Sequence, residues 1–148
     1  MAKKILWIED DYFHIAGLVE PLVEDKYTVE AARSLKEAEL KLQNWKNYSL
    51  VVLDLIIPYS ESYMLDPRKN ESPFIFENWT DADLARNGME IFIYMKEKIE
   101  INIPVLVLSV VRNRDIVNRL ISLGAVKYID KTSITPNELK REILELFN

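Results

Sequence analysis

The chain has 148 residues, 49% of them hydrophobic and 29% charged, which suits one domain with a sizeable core. The net charge of -5, with lysine and arginine scattered along the chain, speaks against direct nucleic-acid binding, and the absence of cysteine excludes disulfides, thiol chemistry and cysteine-based zinc sites. Near the start only Ile5 to Ile8 is apolar, too short for a signal-peptide core, and no apolar run approaches membrane-spanning length, so the expectation is a soluble cytoplasmic protein with no membrane contact.

In chain order, KKILWI (3–8) reads as a strand that stops at Glu9, Asp10 and Asp11. A helix is expected from about 12 to 25, with Asp10 or Asp11 as N-cap. YTVEAA (27–32) is a weaker strand. Ser34 and Glu37 form a capping box, and Leu35, Ala38, Leu42 and Trp45 then recur at helical spacing. LVVLDL (50–55) is a continuous apolar run, as expected for a strand covered on both faces. The segment from Tyr59 to Asn87 carries no strand signal; it holds Pro67, Pro73 and five aromatics, and only its end, 80–87, suggests a short helical turn. A connection that long inside a compact domain is usually functional or disordered, and its aromatics speak against plain disorder. MEIFIYMKEKIE (89–100) predicts a helix that follows Gly88, and PVLVLS (104–109) predicts another doubly covered strand. Ile116, Val117, Leu120 and Ile121 mark a helix ending at Gly124, VKYID (126–130) a fifth strand, and Thr135-Pro136-Asn137-Glu138 a strongly signalled start of the last helix. Five strands alternating with five helices predict an α/β fold: a doubly wound, five-stranded parallel sheet with helices on both faces, as one domain over 1–148 with an insertion at about 59–87.

In open parallel sheets, ligands bind outside the carboxyl ends of the strands. On this pattern those ends carry Glu9 and Asp10, then Asp54, then Ser109, then Asp130 and Lys131. Asp54 is the anomaly, a lone carboxylate inside SLVVLDLIIP, and a buried carboxylate needs a partner. Carboxylates gathered at one edge repel unless a cation neutralises them. Mg²⁺ suits such oxygens, and a neighbouring hydroxyl and ammonium can hold the remaining oxygens of a phosphoryl group.

This set resembles the receiver domain of two-component response regulators: WIEDD for the acidic pair, VVLDLIIP for the phosphoacceptor strand, PVLVLS for the hydroxyl strand, and GAVKYIDK for the aromatic and the lysine. The resemblance spans the chain apart from 59–87, and its specificity lies in four motifs in order on successive strands. It implies that Asp54 accepts a phosphoryl group from a phosphohistidine on a sensor histidine kinase or phosphotransfer protein. It also implies that Asp10, Asp54 and the Ile56 backbone carbonyl bind Mg²⁺, with Glu9 acting mainly through water. Ser109 would bind the phosphoryl group and move on activation, Lys131 would pair with it, and Tyr128 would be the switch aromatic that re-sets a face for a downstream partner. The chain would assist its own phosphorylation and dephosphorylation without being an enzyme otherwise. It departs from the family pattern in three places: Thr132 stands where a proline in a cis peptide is usual, Val110 is larger than the usual small residue, and the Pro58-to-Gly88 link is long. A cis bond before a non-proline residue costs about 2.5–4 kcal/mol, which favours trans here.

Blander readings exist for each residue. Glu9, Asp10 and Asp11 suit any helix N-terminus; Ser109 and Lys131 alone would be ordinary strand-end residues; Tyr128 alone would be a half-buried strand aromatic; His14 reads as surface or packing. A flavodoxin-like cofactor binder would need a Ser/Thr/Gly-rich loop after the first strand, where this chain has EDDYFH. An aspartyl phosphatase would carry an acid two residues after the nucleophile, where this chain has Ile56. A degenerate receiver that binds partners without phosphorylation stays open. In the family this chain resembles, the residues two positions after the phosphoacceptor and the hydroxyl help decide whether a hydrolytic water is admitted; here they are the apolar Ile56 and Val111, so with the adjacent insertion the resemblance implies a long-lived phosphorylated state with 59–87 as a partial lid or docking surface.

Overall fold

The computed structural model describes residues 3–60 and 80–147, and the part of the insertion between them lies outside the described residues. Five strands, β1 (Lys4–Ile8), β2 (Thr28–Ala32), β3 (Leu50–Leu53), β4 (Val105–Ser109) and β5 (Lys127–Asp130), form one sheet in the order β2-β1-β3-β4-β5. All pairings are parallel; Trp7 faces both Ala31 and Val52, and Val107 faces both Leu53 and Tyr128. The order reverses direction between β1 and β3, which makes their carboxyl ends the crevice where a ligand fits.

The alternation of side chains along the strands builds two cores. Leu6, Ile8, Val51, Leu53, Val105 and Val107 face one side, under α2 (Leu35–Leu42), α4 (Arg86–Ile93) and α5 (Arg114–Ser122), while the short α3 (Asp81–Leu84) precedes α4 and adds no buried residue. Ile5, Trp7, Leu50, Val52, Leu106 and Leu108 face the other, under α1 (Tyr12–Glu24) and α6 (Pro136–Glu145). Since β1, β3 and β4 are apolar on both faces, both have to be covered, which is the physical content of their uninterrupted hydrophobic runs.

The doubly wound sheet therefore stands as read from the sequence. The helix after the insertion does not. It starts at Arg86, before Gly88, and after Ile93 it widens into a π turn over Tyr94–Lys98 instead of running as one α-helix from 89 to 100. The reason is packing: Gly88 lies inside the helix, where its N–H donates to the Leu55 carbonyl at 3.2 Å. The expected turn at the end of the insertion is α3, which Thr80 and Asp83 close as a capping box. Six α-helices are thus present among the described residues.

The helix starts obey their caps. Ser34 accepts from the Glu37 N–H, but the Glu37 carboxylate takes the Arg33 N–H at 3.3 Å and not that of Ser34, so the box expected there is only half formed. Asn113 accepts from Asp115 and Ile116, and Thr135 from Glu138, whose carboxylate returns to the Thr135 N–H. Gly124 has φ of 111°, the left-handed exit expected after α5. Thr135→Ala removes one half of the last box, and α6 supplies Leu139 and Ile143 to the core beside α1. The expected cost is about 1 kcal/mol, read as a drop of about 3 °C in Tm, while a Thr135→Ser protein melts close to the parent.

Candidate functional site

The acids, the hydroxyl and the lysine each stand at the carboxyl end of a parallel strand, so their convergence follows from the topology. Glu9 and Asp10 follow β1, Asp54 follows β3, Ser109 ends β4 and Lys131 follows β5. Backbone bonds carry the ladder past the strand ends: Glu9 N–H donates to Ala32, Asp54 N–H to Ile8, and Lys131 N–H to Ser109. Thus the site rests on the same hydrogen-bond network as the sheet.

Asp54 is the centre. Only 5% of it is exposed, and besides Glu9 three donors reach its two oxygens. Oδ1 accepts from the Ser109 hydroxyl at 2.9 Å and from the Ile56 N–H at 3.1 Å; Oδ2 accepts from the Lys131 ammonium at 2.6 Å. Lys131 also donates to Glu9 Oε1 at 2.8 Å. The other Glu9 oxygen, Oε2, is buried without a donor among the described residues. Carboxylate oxygens of Glu9, Asp10 and Asp54 lie within 4.8 Å of one another.

Two buried acids against one ammonium cannot both be comfortable as anions. Burial first, then the neighbouring Asp54, pushes the Glu9 carboxyl up to about 9, against the opposing pull of Lys131. Burial acts on Asp54 in the same sense. There it is outweighed by the hydrogen bond from Glu9, by the Lys131 charge and by the Ile56 N–H, so the Asp54 carboxyl is held below its usual range. For Lys131, burial works against the charge, but Asp54 and Glu9 raise its pKa above the usual lysine value. Within this acid pair the proton therefore favours Glu9 and the negative charge favours Asp54, beside a lysine held in its charged form. That donor set fits a hard divalent cation: three clustered carboxylates, one of them holding a proton a cation can replace and presenting an oxygen with no donor.

Tyr128 is half-buried, and its hydroxyl donates to the Val111 carbonyl, which ties the aromatic to the loop after Ser109. Burial pushes its phenol up to about 12. The Lys131–Thr132 peptide is trans, as is every described peptide bond. A cleft of about 500 Å³ opens beside the site, bordered by Glu9, Asp11, Ile15, Val110, Lys131 and Thr132. The large Val110 is thus on the rim, 45% exposed. After Ile57 the chain leaves the site toward α2, where the Pro58 and Tyr59 carbonyls accept from the Leu35 and Lys36 N–H groups. The proposed lid falls mainly on 61–79, outside the described residues.

Three contributors are invisible to strand-end reasoning. Asn87 donates to the Ile57 carbonyl at 2.9 Å and Arg33 to the Asp10 carbonyl at 3.3 Å, so both steady loops of the acidic cluster. Arg112 bonds the residues flanking Lys131. The one cue in sequence was Gly88, a glycine within an otherwise helical pattern, which signals close approach as readily as a helix start.

No family model and no curated protein matches this chain. Solved structures do. The signal receiver domain of a putative Luxo repressor protein from Vibrio parahaemolyticus aligns over 99% of this chain and 90% of its own, with TM-score 0.71 and 16% identity. A response regulator receiver domain from Methanospirillum hungatei aligns over 98% and 93%, with TM-score 0.71 and 20% identity. A response regulator signal receiver domain from Bermanella marisrubri aligns over the full length of both chains, with TM-score 0.70 and 21% identity. The chain has the receiver fold.

Proposed function

We propose that this chain is a phosphoacceptor receiver domain of a two-component system, taking a phosphoryl group from a sensor histidine kinase or phosphotransfer protein onto Asp54. The carrying observation is the convergence of Ser109, Lys131 and the Ile56 N–H on one buried aspartate. Glu9, Asp10, Asp54 and the Ile56 carbonyl would hold Mg²⁺, which when bound offsets charge on the transferring group.

The remaining chemistry belongs to the chain. Asp54 is anionic at neutral pH and therefore a competent nucleophile; its oxygen attacks phosphorus, and the bond from phosphorus to the donor's nitrogen breaks, with the donor's imidazole leaving. Lys131 and Ser109 already lie within hydrogen-bond reach of the carboxylate, so both can turn to the incoming phosphoryl oxygens with little reorganisation. If Ser109 follows the phosphoryl group, the loop behind it moves, and Tyr128 feels this directly through the Val111 carbonyl. That is the route by which the α5–β5–α6 face would be re-set for a downstream protein. Among the described residues no helix is long and apolar enough to cross a membrane.

Acetyl phosphate with Mg²⁺, followed by intact-mass measurement, tests this reading. The parent protein is expected to gain one phosphoryl mass and Asp54→Ala none. A gain that persists in Asp54→Ala would move the acceptor elsewhere; no gain in the parent would leave a phosphorylation-independent interaction module as the better reading.

A further inference from the structure

The Lys131 turn is held by a ring of side-chain bonds that reaches back to the loop carrying Ser109. Asp130 Oδ1 accepts the Thr132 N–H at 2.9 Å and the Thr132 hydroxyl at 2.7 Å, and the Ser133 N–H donates to the Asp130 carbonyl at 3.1 Å. The other oxygen, Oδ2, takes Arg112 Nε at 2.9 Å, while Arg112 Nη2 donates to the Thr132 hydroxyl at 2.8 Å. Every partner is used in its correct sense: the hydroxyl donates once and accepts once, and the guanidinium spans two acceptors with its planar fork. Lys131 sits between the two clamped residues.

We propose that Arg112, acting through Asp130 and Thr132, is a positioning residue for Lys131 in phosphoryl transfer to Asp54. This rests on the proposed function of the site. The argument is geometric. The Lys131 ammonium has to lie within about 3 Å of a phosphoryl oxygen to help, and small misplacements of such groups are expensive in rate. Its side chain is long and flexible, so the backbone turn that launches it has to be fixed. The turn comes from a trans peptide with no proline, and the Asp130 cap and the Arg112 fork supply the rigidity instead. Because Arg112 stands three residues after Ser109, the same clamp joins the loops bearing the hydroxyl and the ammonium, the two protein groups on opposite oxygens of Asp54. An exposed ion pair of this kind contributes little to global stability, so its expected signature is in rate, not in Tm.

The test compares Arg112→Ala, Arg112→Lys and Thr132→Val with the parent, by acetyl phosphate labelling at fixed Mg²⁺ and by NMR of the Lys131 side-chain ammonium before any phosphodonor is added. Labelling is expected to slow about tenfold in all three, since lysine keeps the charge but not the fork. In a Lys131→Ala background, Arg112→Ala should add nothing further, because the two act through one group. The ammonium resonance should be sharp in the parent and broadened or lost in all three variants. Full activity in Arg112→Lys would mean that Arg112 only attracts the anionic donor, and that overturns the clamp. Additive effects in the Lys131→Ala background overturn it equally. Should the parent take no phosphoryl group, the proposed function fails while the ammonium resonance still decides the clamp: an unchanged signal in Arg112→Ala sinks it.

Discussion

Gly88→Ala is expected to lower Tm by about 10 °C or to prevent folding, a loss of about 3 kcal/mol or more. A Cβ at this position would lie 2.3 Å from Leu55 Cα and 2.5 Å from the Leu55 carbonyl oxygen, and both are backbone atoms that no rotamer change can move aside. The clash is relieved only if α4 lifts from the sheet, which breaks the 3.2 Å bond from the Gly88 N–H and loosens Ile91 and Phe92 in the core. Leu55 is also the neighbour of Asp54, so any shift is passed to the site. Gly17→Ala is the matched control. Nothing lies within 4 Å of a Cβ there, and the residue is in the interior of α1, so alanine should stabilise by about 0.5–1 kcal/mol. Thermal melts of the two proteins should move in opposite directions from the parent. A Gly88→Ala protein melting within about 2 °C of it would show that α4 is not seated on residue 55.

That contrast also shows what a linear sequence conceals. The strands were legible because burial on both faces forces an uninterrupted apolar run, as in Leu50–Leu53, and the helices because Leu35, Ala38 and Leu42 repeat at their spacing. Glu9, Asp54, Ser109 and Lys131 could be brought together on paper because a parallel sheet places all its carboxyl ends on one edge. Gly88 was read by its local habit, as a residue before a helix, while its actual constraint comes from a backbone 33 positions earlier in the chain (88 against 55). Arg112 was unreadable for the same reason. Its pairing with Asp130 depends on the direction taken by an irregular loop after β4, which hydrophobic periodicity does not encode. The state of Glu9 was likewise out of reach: a glutamate beside an aspartate in sequence says nothing about which one is desolvated, and the structure buries Glu9 while leaving Asp10 more open.

That asymmetry sets the second large effect. In the absence of metal, the protein is expected to lose stability as pH rises from 5.5 to 8.5. Glu9 has a folded-state pKa of about 9 against an ordinary value of 4.5, so between these limits the folded chain binds a proton the unfolded chain has released. Stability is then fully present below the unfolded value and falls as pH approaches the folded one. Asp54 is shifted in the opposite direction, but its titration lies below this window, and the raised Lys131 titrates above it. The net loss over the window is on the order of 3 kcal/mol, or about 10 °C in Tm. Glu9→Gln isolates the Glu9 contribution from that of any other titrating group. A glutamine amide can accept from Lys131 and donate toward Asp54 as the protonated acid does, without ever losing that donor. Glu9→Gln should therefore melt higher than the parent at pH 8.5 and show a much flatter pH dependence. Mg²⁺ should raise the parent's Tm more at pH 8.5 than at 5.5, because the ion competes with the proton on Glu9, and it should raise Glu9→Gln less at the higher pH. Parallel loss of Tm in the parent and in Glu9→Gln across the window would show that Glu9 does not carry the proton. A parent that gains equally from Mg²⁺ at both pH values would remove Glu9 from the cation site.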